Sequence, residues 1–267
     1  MKRTREYPYA DVDFVMKKPR AEGKFSINHG DTPIALIQKP NGDDDVVYLD
    51  KYGDFPEIQM PERIFPCFHV EQGDAFAIFI SGRKKSGKSW LIKEILQEVL
   101  SRVNKKVYLI SPHTVDPSID DGFEEGVIIR LEPNEYQMEL VKDSIVIFDD
   151  VDSLPDEKII DKVYLFVKKL LQGARKQGTD VIFANHTLRN SGKTKAVIRE
   201  SDFYFIFPGT GNDAQIESFM KEYVDKDRQT IRDILSVRNS RWVMIHNAAP
   251  FFVLTEHDIY MPMNRKF

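Results

Sequence analysis

An apolar stretch, Ala75-Phe76-Ala77-Ile78-Phe79-Ile80-Ser81, runs directly into Gly82-Arg83-Lys84-Lys85-Ser86-Gly87-Lys88-Ser89, and this junction restricts the fold more than any other segment. The second segment spells G-x-x-x-x-G-K-S. Glycines let a backbone turn tightly and aim N–H groups at phosphate, and a helix that follows offers the positive end of its dipole to the same anion. After Ser89 the apolar residues Leu91, Ile92, Ile95, Leu96, Val99 and Leu100 recur at helical spacing, so strand, glycine loop and helix follow in the order such a site needs. The segment predicts nucleoside triphosphate binding across Gly82, Arg83, Lys84, Lys85, Ser86, Gly87, Lys88 and Ser89. Lys88 is expected to reach the β- and γ-phosphates, and the Ser89 hydroxyl to ligate Mg2+.

A length of 267 residues with 42% hydrophobic content suits one large α/β domain plus a smaller appendage, and excludes a chain disordered throughout. The single Cys67 excludes a disulfide framework and a multi-cysteine zinc site. No apolar run reaches the roughly 18 residues of a membrane span, and Met1-Lys2-Arg3-Thr4-Arg5-Glu6 lacks a signal-peptide core. A soluble, reducing compartment without a membrane partner is the expectation.

Residues 1–24 are rich in charge and read as a flexible basic arm, either a contact for nucleic acid, a partner or an import receptor, or simply a solvated tail. Residues 25–69 read as a β-hairpin extension, with strands at Pro33 to Lys39 and Val46 to Asp50 around the turn signal Asn41-Gly42. Asp43, Asp44 and Asp45 read as a solvated turn. Residues 70–267 alternate strands and helices. The strand candidates are Ala75 to Ser81, Lys106 to Ser111, Gly126 to Arg130, Ser144 to Asp150, Asp180 to Asn185, Asp202 to Phe207, Arg241 to Asn247 and Phe251 to Thr255. Near-continuous apolar runs such as Ile145-Val146-Ile147-Phe148 predict a mostly parallel sheet between helix layers, with ligands at the strand ends. Helices are expected around Ile216 to Tyr223 and Ile231 to Val237, ahead of the last two strands.

Hydrolysis also needs magnesium held on the far side of the phosphates and a water oriented for in-line attack. Ser144-Ile145-Val146-Ile147-Phe148-Asp149-Asp150 supplies that pattern. Asp149 is expected to hold the metal, and Asp150 to position or polarise water, with Asp152 as the alternative. Asp150 is one methylene shorter than the Glu usual at such a position. Asn185, closing the strand Val181-Ile182-Phe183-Ala184, is either a polar sensor beside the γ-phosphate or an ordinary strand-terminating residue. His113 and His186 lie near strand ends, where lone histidines usually make structural hydrogen bonds.

In their order, Gly82 to Ser89, Val107-Tyr108-Leu109-Ile110-Ser111-Pro112, Ile145 to Asp150, Gly173-Ala174-Arg175-Lys176-Gln177-Gly178 and Val197-Ile198-Arg199-Glu200-Ser201-Asp202 resemble the DNA-packaging ATPases of large eukaryotic DNA viruses and their virophage-like relatives. That family belongs to the FtsK/HerA class of ring-forming DNA pumps. The resemblance spans roughly residues 70–210 and implies an α/β P-loop NTPase fold of the RecA/FtsK-like kind, with ATP and Mg2+ as cofactors. It further implies a homo-oligomeric ring, a pentamer or hexamer, that drives double-stranded DNA into a preformed capsid. The implied partners are the DNA and a capsid or portal-vertex protein, at a virus assembly site or in the virion. By resemblance, Arg175 and Arg199 are the candidates for the cation that one subunit inserts into its neighbour's site. Two departures from the family pattern are Asn185-His186, where Gln is often found, and the strongly basic loop interior Arg83-Lys84-Lys85.

Charge is unevenly spread along a chain whose net charge is −4. Between Asp161 and Arg199 nine cations face two anions, Asp161 and Asp180, the distribution a polyanion would need. Thr187 to Lys195 reads as a small, basic loop able to grip phosphate without reading sequence, whereas Lys162, Lys168 and Lys169 read as the solvated face of a helix. A nucleoside or small-molecule kinase and a non-hydrolysing, nucleotide-dependent assembly scaffold also fit the glycine loop.

Overall fold

The computed structural model describes residues 24–27, 32–39, 42, 44–50, 63–68, 75–132, 136–188, 191–208, 213–224, 228–237, 239–248 and 251–260. The basic arm lies outside the described residues except for Lys24, and so do Asn41, Asp43, Arg189 and the side chain of Arg175.

Two sheets are present among the described residues. The smaller is antiparallel and built from β1 (Lys24–Ile27), β2 (Thr32–Gln38), β3 (Asp45–Asp50) and β4 (Arg63–Pro66), in the order β1-β3-β2-β4. The expected hairpin is β2 and β3, turned at Gly42, whose φ of 80° suits glycine and whose N–H reaches Lys39 O at 3.0 Å. Strands β1 and β4 enlarge it on either side.

The larger sheet contains β5 (Ala77–Ser81), β6 (Lys106–Ile110), β7 (Ile128–Arg130), β8 (Ser144–Asp149), β9 (Asp180–Asn185), β10 (Phe203–Ile206), β11 (Val243–His246), β12 (Phe252–Thr255) and β13 (Ile259–Tyr260). Its order is β13-β12-β11-β10-β5-β9-β8-β6-β7. From β10 to β7 every pairing is parallel, and β11 to β13 continue the sheet antiparallel beyond β10. All eight strand candidates of the core are therefore strands, trimmed by a few residues at most. Although β6 separates the two nucleotide motifs in sequence, the strand that separates β5 from β8 in space is β9, which carries Asn185.

Alternation along the strands sorts the core into two layers. Phe79, Val146, Phe148, Val181 and Phe183 face one side, where they pack with Val163, Phe166, Val167 and Leu170 of α3 (Glu157–Gln177) and with α4 (Ser191–Glu200), α5 (Asp213–Phe219) and α6 (Arg228–Ser236). Ile78, Ile80, Ile145, Ile147 and Ile182 face the other, against Leu91, Ile92, Ile95 and Leu96 of α1 (Lys88–Leu100) and Ile119 of α2 (Pro117–Asp120). Each fully buried Ile, Val or Phe here stabilises the fold by about 1.5–3 kcal/mol. Ile34, Ile37, Val47, Ile64 and Phe65 of the smaller sheet belong to this second layer, so the appended sheet shares the core rather than hanging from it.

A charge cluster centred on the buried Glu256 fastens that joint. Arg63 on β4 grips Glu94 of α1 with Nη1 and Nη2 at 2.6 and 2.9 Å, and its Nη2 lies 3.0 Å from Glu256. Arg241 reaches the same Glu256 oxygen at 2.9 Å while its guanidinium stacks 5.3 Å above the Trp90 ring. Burial pushes the Glu256 carboxyl up, but Arg63 and Arg241 more than offset it, leaving the group below its usual range.

The basic segment after β9 differs from the expected loop: from Ser191 onward it is helix α4. Lys193 is not presented alone there, since its Nζ lies 2.6 Å from Glu157 and 2.8 Å from Asp161, and Lys195 lies 3.5 Å from Glu222. Lys162, Lys168 and Lys169 lie exposed on α3, opposite Val163, Val167 and Leu170.

Candidate nucleotide site

The loop from Gly82 to Ser89 joins β5 to α1 at the carboxyl end of the parallel strands. Gly82 N–H donates to Asn185 O at 3.2 Å, tying the loop's first residue to β9. A Cβ at Gly82 would meet the Ser86 hydroxyl and, at 2.6 Å, the Phe207 ring, so only glycine fits this approach. Lys85 and Gly87 both have left-handed backbones, with φ of 67° and 102°. Left-handed residues within a turn gather successive N–H groups into a concavity suited to an anion.

Lys88 opens α1 and is almost fully buried. Its Nζ donates to Gly82 O at 3.1 Å and to His186 Nδ1 at 2.9 Å, with Asp150 Oδ1 at 3.9 Å. Burial lowers its pKa, and the nearby Asp150 and Asp149 carboxylates oppose that shift.

Strand β8 ends in Asp149, which is 2% exposed and whose Oδ1 has no hydrogen-bond partner. Burial is the main cause that pushes its pKa up to about 7; Asp150 and Asp116 add to the rise and Lys88 opposes it. The chain then turns at Asp150, whose φ of 49° is left-handed, and its N–H is held by Ala184 O at 3.1 Å. Asp150 Oδ2 lies 2.8 Å from His186 Nε2, while its Oδ1 is buried without a hydrogen bond.

Asp152, the alternative to Asp150, does not line the cleft. Tyr164 O–H donates to its Oδ1 at 2.8 Å and Asn185 Nδ2 to its Oδ2 at 2.7 Å, so both carboxylate oxygens are engaged below the site. Asn185 is itself 2% exposed, and its Oδ1 accepts the His186 N–H at 2.7 Å. The side chain that lines the cleft at this strand end is His186.

Lys84, Lys85, Gly87, Lys88, Ser89, Asp149 and Asp150 converge on an open cleft of about 290 Å³. Its other walls are Trp90, His113, Asp116, Ser118 and His186. Sequence reasoning passed over Asp116, although Asp116-Pro117-Ser118 is a helix-start signal: the Asp116 carboxylate accepts the Ser118 N–H at 2.9 Å as the cap of α2. Arg130 braces this segment, donating to Asp120 at 2.8 Å and to His113 O at 3.1 Å. Arg199 is exposed in the last turn of α4 and does not line the cleft, and no arginine is among the described residues that do.

The orphaned oxygens of Asp149, Asp150 and Ser86 and the concave glycine loop fit a Mg2+–triphosphate. Among the described residues no cluster of three or more His, Cys, Asp or Glu could hold a metal. Mg2+ at a phosphate site takes one or two protein ligands and fills its shell with water and phosphate.

Parallel strands ending in a glycine loop and a carboxylate pair, with a further strand between them, define the fold of a P-loop NTPase. No described protein family matches the chain. The uncharacterized protein V3 of the Sputnik virophage is 25% identical over 193 residues, covering 67% of this chain and 74% of that protein. Among solved structures, the genome packaging NTPase B204 of Sulfolobus turreted icosahedral virus 2, in complex with ATP-gammaS, matches with a TM-score of 0.50 at 14% identity, over 70% of this chain and 98% of that one. The pCW3 conjugation coupling protein TcpA, as a monomer with ATPgS, matches with a TM-score of 0.51 at 12% identity, over 87% of this chain and 78% of that one. These likenesses establish the fold, and the resemblance to viral packaging ATPases is met by a virophage relative and by a packaging NTPase.

Proposed function

We propose that this protein is an ATP-hydrolysing motor that, with Mg2+ and as a homo-oligomeric ring, moves double-stranded viral DNA into a preformed capsid. The observation that carries the reading is the convergence of Lys88, Ser89, Asp149 and Asp150 on one cleft, with buried carboxylate oxygens of both aspartates left without donors. A buried carboxylate without a partner is costly, and a ligand that brings cations and donors relieves that cost. In this reading Gly82 to Ser89 cradle the phosphates, Lys88 binds the outer two, Ser89 and Asp149 hold Mg2+, and Asp150 orients and polarises the attacking water. Bound Mg2+ supplies charge neutralisation at the phosphate oxygens.

A site completed by a neighbouring subunit belongs to this reading, with Arg175 and Arg199, the latter exposed and away from the cleft, as the candidates. The excess of cations over anions between Asp161 and Arg199, with Lys176 and Arg199 exposed, supports a DNA partner. The virophage relative and the viral genome packaging NTPase of like fold support action at a virus assembly site or in the virion, docked on a capsid or portal-vertex protein. Among the described residues no helix is long and apolar enough to cross a membrane. The functional units are residues 70–267 as the ATPase, 25–69 as an appended sheet and 1–24 as an arm.

The test is ATP hydrolysis by the full chain with and without double-stranded DNA, using Lys88→Ala as the blank. Turnover that DNA stimulates and the variant loses supports the motor. Turnover that depends on a small phosphoryl acceptor instead assigns a kinase, and nucleotide binding without turnover in an assembled ring assigns a scaffold.

A further inference from the structure

Three contacts single out His186. Its ring bridges two groups of the nucleotide site, with Nδ1 2.9 Å from Lys88 Nζ and Nε2 2.8 Å from Asp150 Oδ2. Lys88 is a donor only, so Nδ1 must accept, and Nε2 must then carry the proton and donate to Asp150. The main chain that carries the ring is anchored, because the His186 backbone N–H donates to Asn185 Oδ1 while the Asn185 amide is committed to Asp152. Asp150 has little else to orient it, since its Oδ1 is buried with no hydrogen bond and its backbone is left-handed.

We propose that His186 is a positioning residue that competes with a nucleoside triphosphate for Lys88 and keeps Asp150 aimed once the triphosphate has drawn Lys88 away. The proposal rests on the nucleotide reading above for the identity of the ligand. Lys88 gives two of its three donors to Gly82 O and His186 Nδ1. The one remaining donor can serve a single oxygen, so a Lys88 that binds both the β- and γ-phosphates gives up the His186 contact. The Nε2–H···Asp150 bond involves the other edge of the ring and survives that exchange. It then holds the short Asp150 side chain in one orientation, where a free carboxylate would rotate. His186 thus opposes binding slightly and supports the chemical step, a combination that a residue with a merely structural role would not produce.

The experiment compares wild type, His186→Ala and His186→Gln in the full chain. Glutamine can accept from Lys88 through its carbonyl and donate to Asp150 through its amide, so it reproduces the polarity of the ring. Binding of a non-hydrolysable ATP analogue with Mg2+ is measured by calorimetry, and kcat and KM by steady-state hydrolysis. Loss of one competing hydrogen bond should tighten analogue binding by His186→Ala about 3- to 10-fold. Its kcat should fall about 10- to 100-fold, and His186→Gln should return both values toward wild type. Unchanged or weaker analogue binding by a His186→Ala protein that melts cooperatively near the wild-type temperature overturns the proposal, as does an unchanged kcat. If His186→Ala does not fold, His186→Gln decides alone: values near wild type support the proposal, and weakened binding together with lowered kcat overturns it. If wild type binds the analogue but turns nothing over, the motor reading fails, and the binding comparison still decides the competition for Lys88.

Discussion

The Asn185 amide donates to Asp152 Oδ2 at 2.7 Å, so the polar side chain that closes β9 faces the interior under the nucleotide cleft. Asp152 receives Tyr164 O–H on its other oxygen at 2.8 Å, which links α3 to the strand end through one carboxylate. Asn185→Ala strips the half-buried Asp152 carboxylate of a donor and is expected to cost about 1–3 kcal/mol. Because Asn185 and Tyr164 share Asp152, Asn185→Ala and Tyr164→Phe should be non-additive by about 0.5–3 kcal/mol in a denaturant double-mutant cycle. Additive losses would mean that the two bonds do not act through a common partner.

Gly82→Ala should reduce nucleotide binding at least 10-fold, an estimate based on the sensitivity of such sites to small displacements. The added methyl would run into Ser86 and Phe207, forcing the loop away from β9. Calorimetry with an ATP analogue measures the loss, and a melting curve separates it from unfolding. Wild-type affinity in Gly82→Ala would show that the loop can give way without losing its shape.

Asp149→Asn should abolish Mg2+-dependent hydrolysis, with a loss of about 100-fold or more, without lowering the melting temperature of the nucleotide-free protein. Asp149 is buried, has an oxygen without a donor and sits beside Asp150, so removing its charge takes away an unfavourable interaction. A clearly lower melting temperature would assign Asp149 a structural contact instead.

Glu256 gives the stability a defined pH dependence. Its folded pKa lies below the ordinary 4.5, because Arg63 and Arg241 outweigh the effect of burial. The unfolded chain therefore takes up a proton first as pH falls, and the stabilisation is complete above pH 4.5 and is lost as pH falls through the folded pKa. Urea midpoints of wild type and Glu256→Gln should differ most at neutral pH and converge below about pH 4.5. A gap that persists in acid would show that the charge is not what Glu256 contributes.

Strongly apolar or strongly constrained segments were legible from sequence. Ile145 to Phe148 is buried on both faces of the sheet, and no helix or surface strand accounts for such a run, so β8 and its terminal carboxylates follow directly. The glycine loop is equally local, because its backbone demands are met by its own residues. Strands β1 and β4 were missed: Lys24–Ile27 is short, and Arg63–Pro66 sits in a proline-bearing stretch that becomes a strand by pairing with β2 and holding Glu94 across the molecule. Gly192 and the β-branched Thr194 made α4 look like a loop, since both weaken helix propensity. Tertiary burial of Thr194, Val197 and Ile198 overrides that preference. The inward turn of Asn185 depends on Asp152 and Tyr164, residues 33 and 21 positions away, and no local spacing signals it.

The ion cluster of Arg63, Glu94, Arg241 and Glu256 limits how freely this protein can be cut or recombined. A fragment that begins at residue 70 would keep both carboxylates in place and lose one of their two guanidinium partners. Taking one charged donor from a part-buried carboxylate costs about 1–3 kcal/mol, a sizeable part of a typical domain's total stability. A fragment made to test residues 70–267 as a unit is therefore expected to be more stable with β4 included, and any foreign appendage grafted in its place must bring its own cation to Glu94, one and a half helical turns from the residue that closes the glycine loop.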